Sequence, residues 1–379
     1  MNASQLPGAP SVAASGNGSA DHFEGLAVLL QLKPLFVPLY ALLTLVGVVG
    51  NSALIAVIAR TRRLHTVTNF LIGNLSLSDL LVCVTCVPVS VAHAFEPRGW
   101  PFGPALCYFV TFMQPTTVYV SVLSLAAIAV DRYVVVAHPI RRRVSVRACG
   151  YAVLAIWLLS AALASPVAAN TLYNDFRPQG HQLVVCEELW YEREGQRLAY
   201  SCSTVFISYM LPLSTISVSY CAITARLERR AMPGAILRQT QEKWRLKKRK
   251  TFRMLVLSAL TFAICWLPLQ TFNLIHDFDA QVVIIDKRYF NVVQLSCHWL
   301  AMSSTCYNPF IYASLHDKFK AELTRRLLTR GGRGSAGRTP ATRSPPSART
   351  SHVHVSFASG ASEILSAGRG GAQQASELL

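Results

Sequence analysis

An acid and a base stand side by side at the end of a long apolar run. In the stretch SLAAIAVDRYVVVAHP, residues 124–139, Asp131 and Arg132 follow a series of aliphatic residues and precede Tyr133. Charged groups are costly inside hydrocarbon, so such a pair is expected at the edge of a membrane, where arginine can reach water or phosphate. The two residues can form a salt bridge in which Asp131 holds Arg132 inward.

A second group of polar residues lies inside apolar segments. Asp79 occupies the middle of GNLSLSDLLV, and Asn51 and Asn308 are polar residues of other segments that could meet it. Together they could share a water molecule or a sodium ion, and a protonated, hydrogen-bonded acid is the alternative. The chain contains no His-Glu-x-x-His and no Gly-x-Ser-x-Gly. We therefore predict that it is not an enzyme.

The elements that carry these residues are long apolar segments. Hydrophobic residues make up 52% of the chain and charged residues only 15%, a balance typical of membrane proteins. Seven segments reach the roughly 20 residues that a helix needs to cross about 30 Å of hydrocarbon. They are 35–60, 68–93, 104–134, 147–169, 198–228, 250–277 and 288–314. The sequence thus predicts an all-α membrane protein, a bundle of seven transmembrane helices.

Charge sets the orientation of the bundle. The segments 1–34, 94–104, 170–198 and 277–288 hold 11 of the 19 acids but only 7 of the 36 bases. Because positive residues stay cytoplasmic, we expect this side, with the amino terminus, to be extracellular. The basic run RLKKRK, residues 245–250, then lies next to the membrane, where lipid contact is expected and nucleic-acid binding is not.

The two ends of the chain are polar. Residues 1–34 lack a signal-peptide pattern and are expected to be an extracellular tail, with glycosylation sequons at Asn2 and Asn17. Residues 315–328 predict a short amphipathic cytoplasmic helix, and the Gly, Ser, Pro and Arg composition of 329–379 predicts a disordered cytoplasmic tail.

Two of the ten cysteines fall on the extracellular side. They are Cys107, at the top of the third helix, and Cys186, in the loop QLVVCEELW. Disulfides form in oxidising compartments, so we predict that these two residues are bonded and hold the loop over the mouth of the bundle.

The motifs resemble those of the rhodopsin-like G-protein-coupled receptors over residues 35–328. The matching set is Asn51, Asp79, Asp131-Arg132-Tyr133, Trp157, Pro212 with Tyr220, Cys265-Trp266-Leu267-Pro268, and Asn308-Pro309-x-x-Tyr312. The resemblance implies a multi-pass plasma-membrane receptor that activates a heterotrimeric G protein, Gq or Gi. It also implies that arrestin and receptor kinases act on the cytoplasmic tail. No cofactor is expected apart from the candidate sodium ion at Asp79.

The same resemblance assigns a switch. Asp131 would hold Arg132 at rest and release it on activation, with Tyr220 and Tyr312 steadying the released arginine. The remaining switch residues implied are Asp79, Tyr133, Phe262, Trp266, Pro268, Asn308 and Pro309. Many members add an acid at the base of helix six, where this chain has Lys248. A looser resting state is therefore expected.

Residues near the extracellular mouth indicate the ligand. Gln114 occupies the level at which amine receptors carry an aspartate, which argues against a small amine, and helix seven lacks the lysine that retinal would need. The mouth instead offers acids, which favour a basic ligand, above neutral hydrogen-bonding groups, which suit an amide better than a carboxylate. We predict an amidated peptide that carries arginine.

The stretches RRLHTVTNFLIGN, AFEPRGWPFG, CEELW and CHWLAMSSTCYNPFIYA also resemble prolactin-releasing peptide receptors, whose ligands end in Arg-Phe-amide. That resemblance implies ligand contacts at Glu188, Trp190, Asp277, Gln114 and Ser90, and position alone suggests Gln270 and His298. A receptor for a neuropeptide-Y-like amidated peptide is the alternative. A channel or transporter is a remote one, because the segments show no continuous polar path beyond Asp79.

Overall fold

The computed structural model describes residues 18–137, 145–179, 183–190, 193–229, 235–278 and 287–315. Its helices are α1 Gly18–Gln31, α2 Lys33–Arg60, α3 Val67–Leu81, α4 Val87–Ala94, α5 Gly103–Ala137, α6 Val146–Ala169, α7 Glu194–Val205, α8 Leu211–Arg229, α9 Ala235–Phe278 and α10 Lys287–Leu315. Single π-helical turns, Val82–Cys86 and Phe206–Met210, join α3 to α4 and α7 to α8. The described chain therefore forms seven long helical elements, and α1 precedes them.

Six of these elements are long and apolar enough to cross a bilayer. They correspond to the first six segments predicted from hydropathy. The seventh, α10, is 29 residues long, which is sufficient for a span, but it carries polar residues such as Asn291, Gln294 and Ser296. The predicted seven-helix bundle is confirmed, and Gln294 and Ser296 are exposed on the surface of α10.

Two boundaries differ from the sequence-based expectation. Within residues 1–34, the predicted extracellular tail, Gly18–Gln31 is helical, and its apolar stretch GLAVLL places Leu29 in the same buried cluster as Phe36 and Phe95. The sixth predicted segment begins at residue 250, yet α9 begins at Ala235. From there to residue 250 the sequence contains strong helix formers and neither Gly nor Pro.

Buried polar contacts connect the helices at mid-depth. The Trp157 indole on α6 donates to Asn74 Oδ1 on α3 at 2.9 Å, and Asn74 Nδ2 donates to Ser124 Oγ on α5 at 2.9 Å. In an apolar medium an unsatisfied polar group is costly, so these bonds specify how the three helices are rotated against one another.

A two-stranded antiparallel sheet lies over the extracellular end. Strand β1, Thr171–Asp175, pairs with β2, Val184–Glu188, and the predicted disulfide between Cys107 and Cys186 connects β2 to α5. The first extracellular loop joins the same sheet, because Trp100 N donates to Val184 O at 2.8 Å. Gly99 makes this approach possible, since it has a φ of 80° and an added Cβ would lie 2.1 Å from Val184 O. The sheet is thereby attached at two points.

Candidate functional site

The end of β2 places Glu188 and Trp190 at the extracellular mouth. The Trp190 indole nitrogen donates to Glu188 Oε1 at 2.5 Å, and its ring lies 5.7 Å from the ring of Tyr200 on α7. Trp190 is buried, whereas Glu188 keeps part of its surface exposed. Partial burial of its carboxyl group raises the pKa of Glu188, and the nearby Arg197 guanidinium opposes that rise. Glu188 is thus an acid that remains accessible at the mouth, a good partner for a cation.

Asp277, near the end of α9, already has partners within the protein. Arg197 of α7 forms an ion pair with Asp277 Oδ1 at 2.7 Å, and Ser201 Oγ donates to Oδ2 at 2.5 Å. The Asp277 side chain is 7% exposed and that of Arg197 is 37% exposed. Both carboxylate oxygens are therefore engaged. Sequence reasoning missed Arg197, because its only distinction there is that it is a base on a side rich in acids.

Gln114 and His298 meet deeper in the bundle. Gln114 Nε2 lies 3.3 Å from His298 Nε2, and His298 Nδ1 lies 2.9 Å from the hydroxyl of Tyr40 on α2. That hydroxyl donates its single proton to Leu295 O at 2.9 Å. The neutral histidine with its proton on Nδ1 satisfies every contact, accepting from Gln114 and donating to Tyr40. Tyr40 was missed by sequence reasoning, since nothing local distinguishes it from other aromatic residues.

Two other predicted ligand residues stand apart from this network. Ser90 on α4 and Gln270 on α9 are both partly buried. Within the described ranges, neither forms a hydrogen bond to the other predicted ligand residues. The structure therefore joins Glu188 to Trp190 and Gln114 to His298, and leaves Ser90 and Gln270 as separate polar groups.

Asp79 lies at the centre of the bundle, next to a cavity of about 20 Å³. Asn308 Nδ2 donates to Asp79 Oδ2 at 2.8 Å and Ser121 Oγ donates to Oδ1 at 3.4 Å. Asn51, which was expected to meet Asp79, instead donates to the carbonyls of Gly47 and Thr305. Its amide is used to join α2 to α10. The cavity has a mixed lining, and the carboxylate, amide and hydroxyl oxygens on it are suitable ligands for a hard cation such as sodium, and equally for water.

The central aromatic residues of the switch are in contact. The Phe262 and Trp266 rings on α9 stack with centroids 5.6 Å apart, and Trp266 Nε1 donates to Ser304 Oγ on α10 at 3.1 Å. Pro268 and Pro309 lie inside α9 and α10. Each removes a backbone hydrogen bond, so each helix can bend at its proline.

At the other end of the bundle, Asp131 and Arg132 form the expected pair, with Arg132 NH2 2.6 Å from Asp131 Oδ2. Thr68 on α3 is a third member that sequence reasoning missed. Its Oγ1 donates to Asp131 Oδ2 at 2.7 Å and accepts from the Arg132 guanidinium. Asp131 and Arg132 of α5 are thus also held by a residue of α3.

Two tyrosines of the predicted switch, Tyr133 and Tyr312, have side chains among the described positions. Tyr133 packs against a small cluster formed by Ala129, Ile216 and Ala259. Tyr312 is buried and, in the part of the chain that is described, is not hydrogen-bonded to Arg132. Outside the described positions lie the side chains of Tyr220 and Lys248, the sequons Asn2 and Asn17, and the segments 316–328 and 329–379.

Comparison with known proteins assigns the family. The model for "7 transmembrane receptor (rhodopsin family)" matches residues 50–312. The chain belongs to the rhodopsin family of seven-transmembrane receptors. It is accordingly a multi-pass plasma-membrane G-protein-coupled receptor and not an enzyme.

The chain is similar to several neuropeptide Y receptors of this family. The type 2 receptor of Homo sapiens is 33% identical over 296 residues, which cover 77% of this chain and 76% of the relative. The type 4 receptor of Mus musculus is 33% identical over 321 residues, which cover 82% and 84%. The type 2 receptor of Cavia porcellus is 34% identical over 296 residues, which cover 77% and 76%. The broad resemblance is confirmed, whereas these relatives favour the neuropeptide-Y-like alternative over the prolactin-releasing peptide prediction.

Proposed function

We propose that this receptor binds an amidated peptide of the neuropeptide-Y-like class that carries arginine, and that it signals through a heterotrimeric G protein, Gq or Gi. The single observation that carries the proposal is a site in two layers. Acids lie at the mouth, and a neutral hydrogen-bonded network lies below them. The names of its relatives, neuropeptide Y receptors, point to the same ligand class.

The outer layer suits a guanidinium group. Glu188 is an exposed acid and Asp277 a largely buried one, and Trp190 lies beside Glu188 with its ring packed near Tyr200. A planar guanidinium can bond a carboxylate through two N–H groups and stack on an aromatic ring, whereas a lysine ammonium acts as a point charge. Arginine in the peptide is therefore the favoured contact.

The inner layer suits a carboxamide. Because Gln114 donates to His298, its amide oxygen stays available to accept a hydrogen bond, and within the described structure it has no partner. A terminal carboxamide can donate to that oxygen, but a carboxylate cannot. Ser90, Gln270 and neutral His298 offer no positive charge to compensate a buried carboxylate, so the free-acid peptide would bear a desolvation cost.

An Arg-Phe-amide peptide, such as prolactin-releasing peptide, is the second candidate. It meets the same two requirements, arginine for the acids and an amide for Gln114. The local stretches that resemble prolactin-releasing peptide receptors favour it, while the overall similarity to neuropeptide Y receptors favours the first candidate.

Activation is allosteric and involves no bond chemistry. Peptide binding favours a conformer in which the cytoplasmic part of α9 moves outward about Pro268, with repacking of the Trp266 and Phe262 stack. Arg132 is then released from Asp131 and contacts the G protein. A sodium ion at Asp79 would stabilise the resting conformer, and the cytoplasmic tail would bind receptor kinases and arrestin.

The proposal is tested with four peptides on receptor-expressing cells. They are neuropeptide Y, a peptide that ends in Arg-Phe-amide, and the free-acid form of each, with G-protein activation as the readout. We expect the two amides to differ in potency and each to exceed its free acid by at least about tenfold, the effect of one lost hydrogen bond and one uncompensated buried charge.

Two variants complete this test. Asp277→Asn should weaken the preferred peptide far more than an analogue in which citrulline replaces arginine. Asp175→Asn is the matched control, because that acid lies on β1 outside the proposed site and, like Asp277, is paired with an arginine, Arg177 at 2.6 Å. Free acids as potent as the amides, or no response to either peptide, would refute the proposal.

A further inference from the structure

The acid proposed to receive the peptide's arginine is already bound to an arginine of the receptor. Asp277 Oδ1 pairs with the Arg197 guanidinium at 2.7 Å and Oδ2 accepts from Ser201 at 2.5 Å. The carboxylate is 7% exposed, so its oxygens have little further access to solvent. A second guanidinium cannot take the position of Arg197 on Asp277 while this ion pair remains.

Arg197 also acts on the other acid of the mouth. Its positive charge stabilises the ionised form of Glu188, while the negative charge of Asp277 opposes it. One internal cation is therefore shared between the two acids at the mouth. It comes from α7, whereas Glu188 belongs to β2 and Asp277 to α9. The arrangement has the chemistry of a bound ligand, with the guanidinium supplied by the receptor itself.

We propose that Arg197 occupies the guanidinium position at Asp277 in the ligand-free receptor, and that a peptide arginine binds by displacing it. This inference rests on the proposed function, because it takes Asp277 as the acid that meets the peptide. Arg197 is then a specificity-determining residue.

An internal competitor raises the threshold that a ligand must pass. Arg197 is covalently attached, so its effective concentration at Asp277 is high. Every ligand cation must therefore compete with Arg197 for this carboxylate. A peptide arginine offers the same planar fork and gains additional contacts from the rest of the peptide. A peptide lysine offers one compact charge in place of a bidentate pair and competes poorly. Displacement therefore selects arginine over lysine more sharply than an unoccupied carboxylate would.

The Arg197 side chain is 37% exposed, so water can take over its contacts once it leaves Asp277. Partly exposed ion pairs contribute modestly to stability, which keeps displacement within reach of an ordinary peptide contact. Ser201 can remain in place, because the carboxylate oxygen to which it donates has a second lone pair that can accept from the peptide guanidinium. The exchange needs the movement of one side chain and no change in the backbone.

The experiment measures peptide binding to Arg197→Gln and Arg197→Ala. Arg193→Gln is the matched control, since it removes the same charge four residues earlier from an exposed position that, within the described structure, forms no ion pair. The probes are an amidated arginine-bearing peptide and its lysine and citrulline analogues, each measured per receptor at the cell surface.

We expect both Arg197 variants to bind the arginine peptide roughly three- to tenfold more tightly, which is the value of a modest ion pair. The ratio of affinities between the arginine peptide and its lysine analogue should become smaller. Binding of the citrulline analogue should not change. Arg193→Gln should behave as the unaltered receptor. Weaker or unchanged binding of the arginine peptide to the Arg197 variants would overturn the proposal, because Arg197 would then position Asp277 or play no part.

Failure of the underlying function gives a different pattern. If Asp277→Asn weakens the arginine peptide and the citrulline analogue equally, Asp277 does not meet the peptide's arginine at all. In that case the displacement fails with the proposed contact. A selective loss in Asp277→Asn together with no gain in the Arg197 variants refutes the displacement alone.

Discussion

Thr68→Val should raise the ligand-free activity of the receptor. Thr68 is 5% exposed, and valine has nearly the same shape but no hydroxyl group. The substitution removes the bond from Thr68 Oγ1 to Asp131 Oδ2, 2.7 Å long, and the bond that the same oxygen accepts from Arg132. Among the described residues, Asp131 and Arg132 then keep only each other as side-chain partners, and the bond to α3 is lost.

The size of the effect follows from the charges involved. A hydrogen bond to a charged group contributes about 1.5–3 kcal/mol when it is shielded from water. The side chains of Arg132 and Asp131 are 27% and 12% exposed, so water compensates for part of the loss. We take about 1–2 kcal/mol for the two bonds together. If they stabilise only the resting conformer, the active fraction rises by roughly five- to thirtyfold from a small starting value.

The assay is ligand-free G-protein activation, measured by energy transfer between labelled G-protein subunits and divided by surface expression. Thr68→Ser keeps the hydroxyl and should remain close to the unaltered receptor. Thr66→Val is a second control, because Thr66 caps the start of α3 by accepting from Asn69 N at 3.3 Å and does not contact Arg132. If ligand-free activity in Thr68→Val equals that of both controls, the contact from α3 does not stabilise the resting conformer.

Gly99→Ala should destabilise the folded receptor by about 1–3 kcal/mol or more, because the new Cβ would lie 2.1 Å from Val184 O at a φ of 80°. The loss should be measurable as lower thermal stability and lower surface expression. Gly103→Ala is the control and should lose less stability, because Gly103 has a φ of 78° but open space around it. Peptide affinity should fall as the pH is lowered through the mildly acidic range, since burial raises the pKa of Glu188 and the protonated acid cannot pair with arginine; this step should vanish in Glu188→Gln, and its persistence there would contradict the assignment. Lys248→Glu should reduce ligand-free signalling by supplying the acid missing at the base of helix six, and an unchanged basal level would argue against a looser resting state.

Much of the fold was predictable because the bilayer imposes a local rule. Each helix must present about 20 apolar residues, so windows of hydropathy locate the segments without any knowledge of their neighbours. The disulfide between Cys107 and Cys186 was predictable for a similar reason, since the side of the membrane determines whether a thiol is oxidised. The starts of α1 at Gly18 and α9 at Ala235 lie in polar or basic stretches, where composition alone does not distinguish a helix from irregular structure.

The partners of the polar residues depended on the tertiary structure. Thr68 meets Arg132 across 64 residues, Gln114 meets His298 across 184, and Tyr40 meets His298 across 258. A hydrogen bond requires two atoms to come within about 3 Å in the right direction, and that depends on the rotation and tilt of each helix. Those angles are set by packing over the whole bundle. The sequence by itself therefore determined which residues are polar, at what depth and on which side of the membrane, and only the packed helices decided which of them touch.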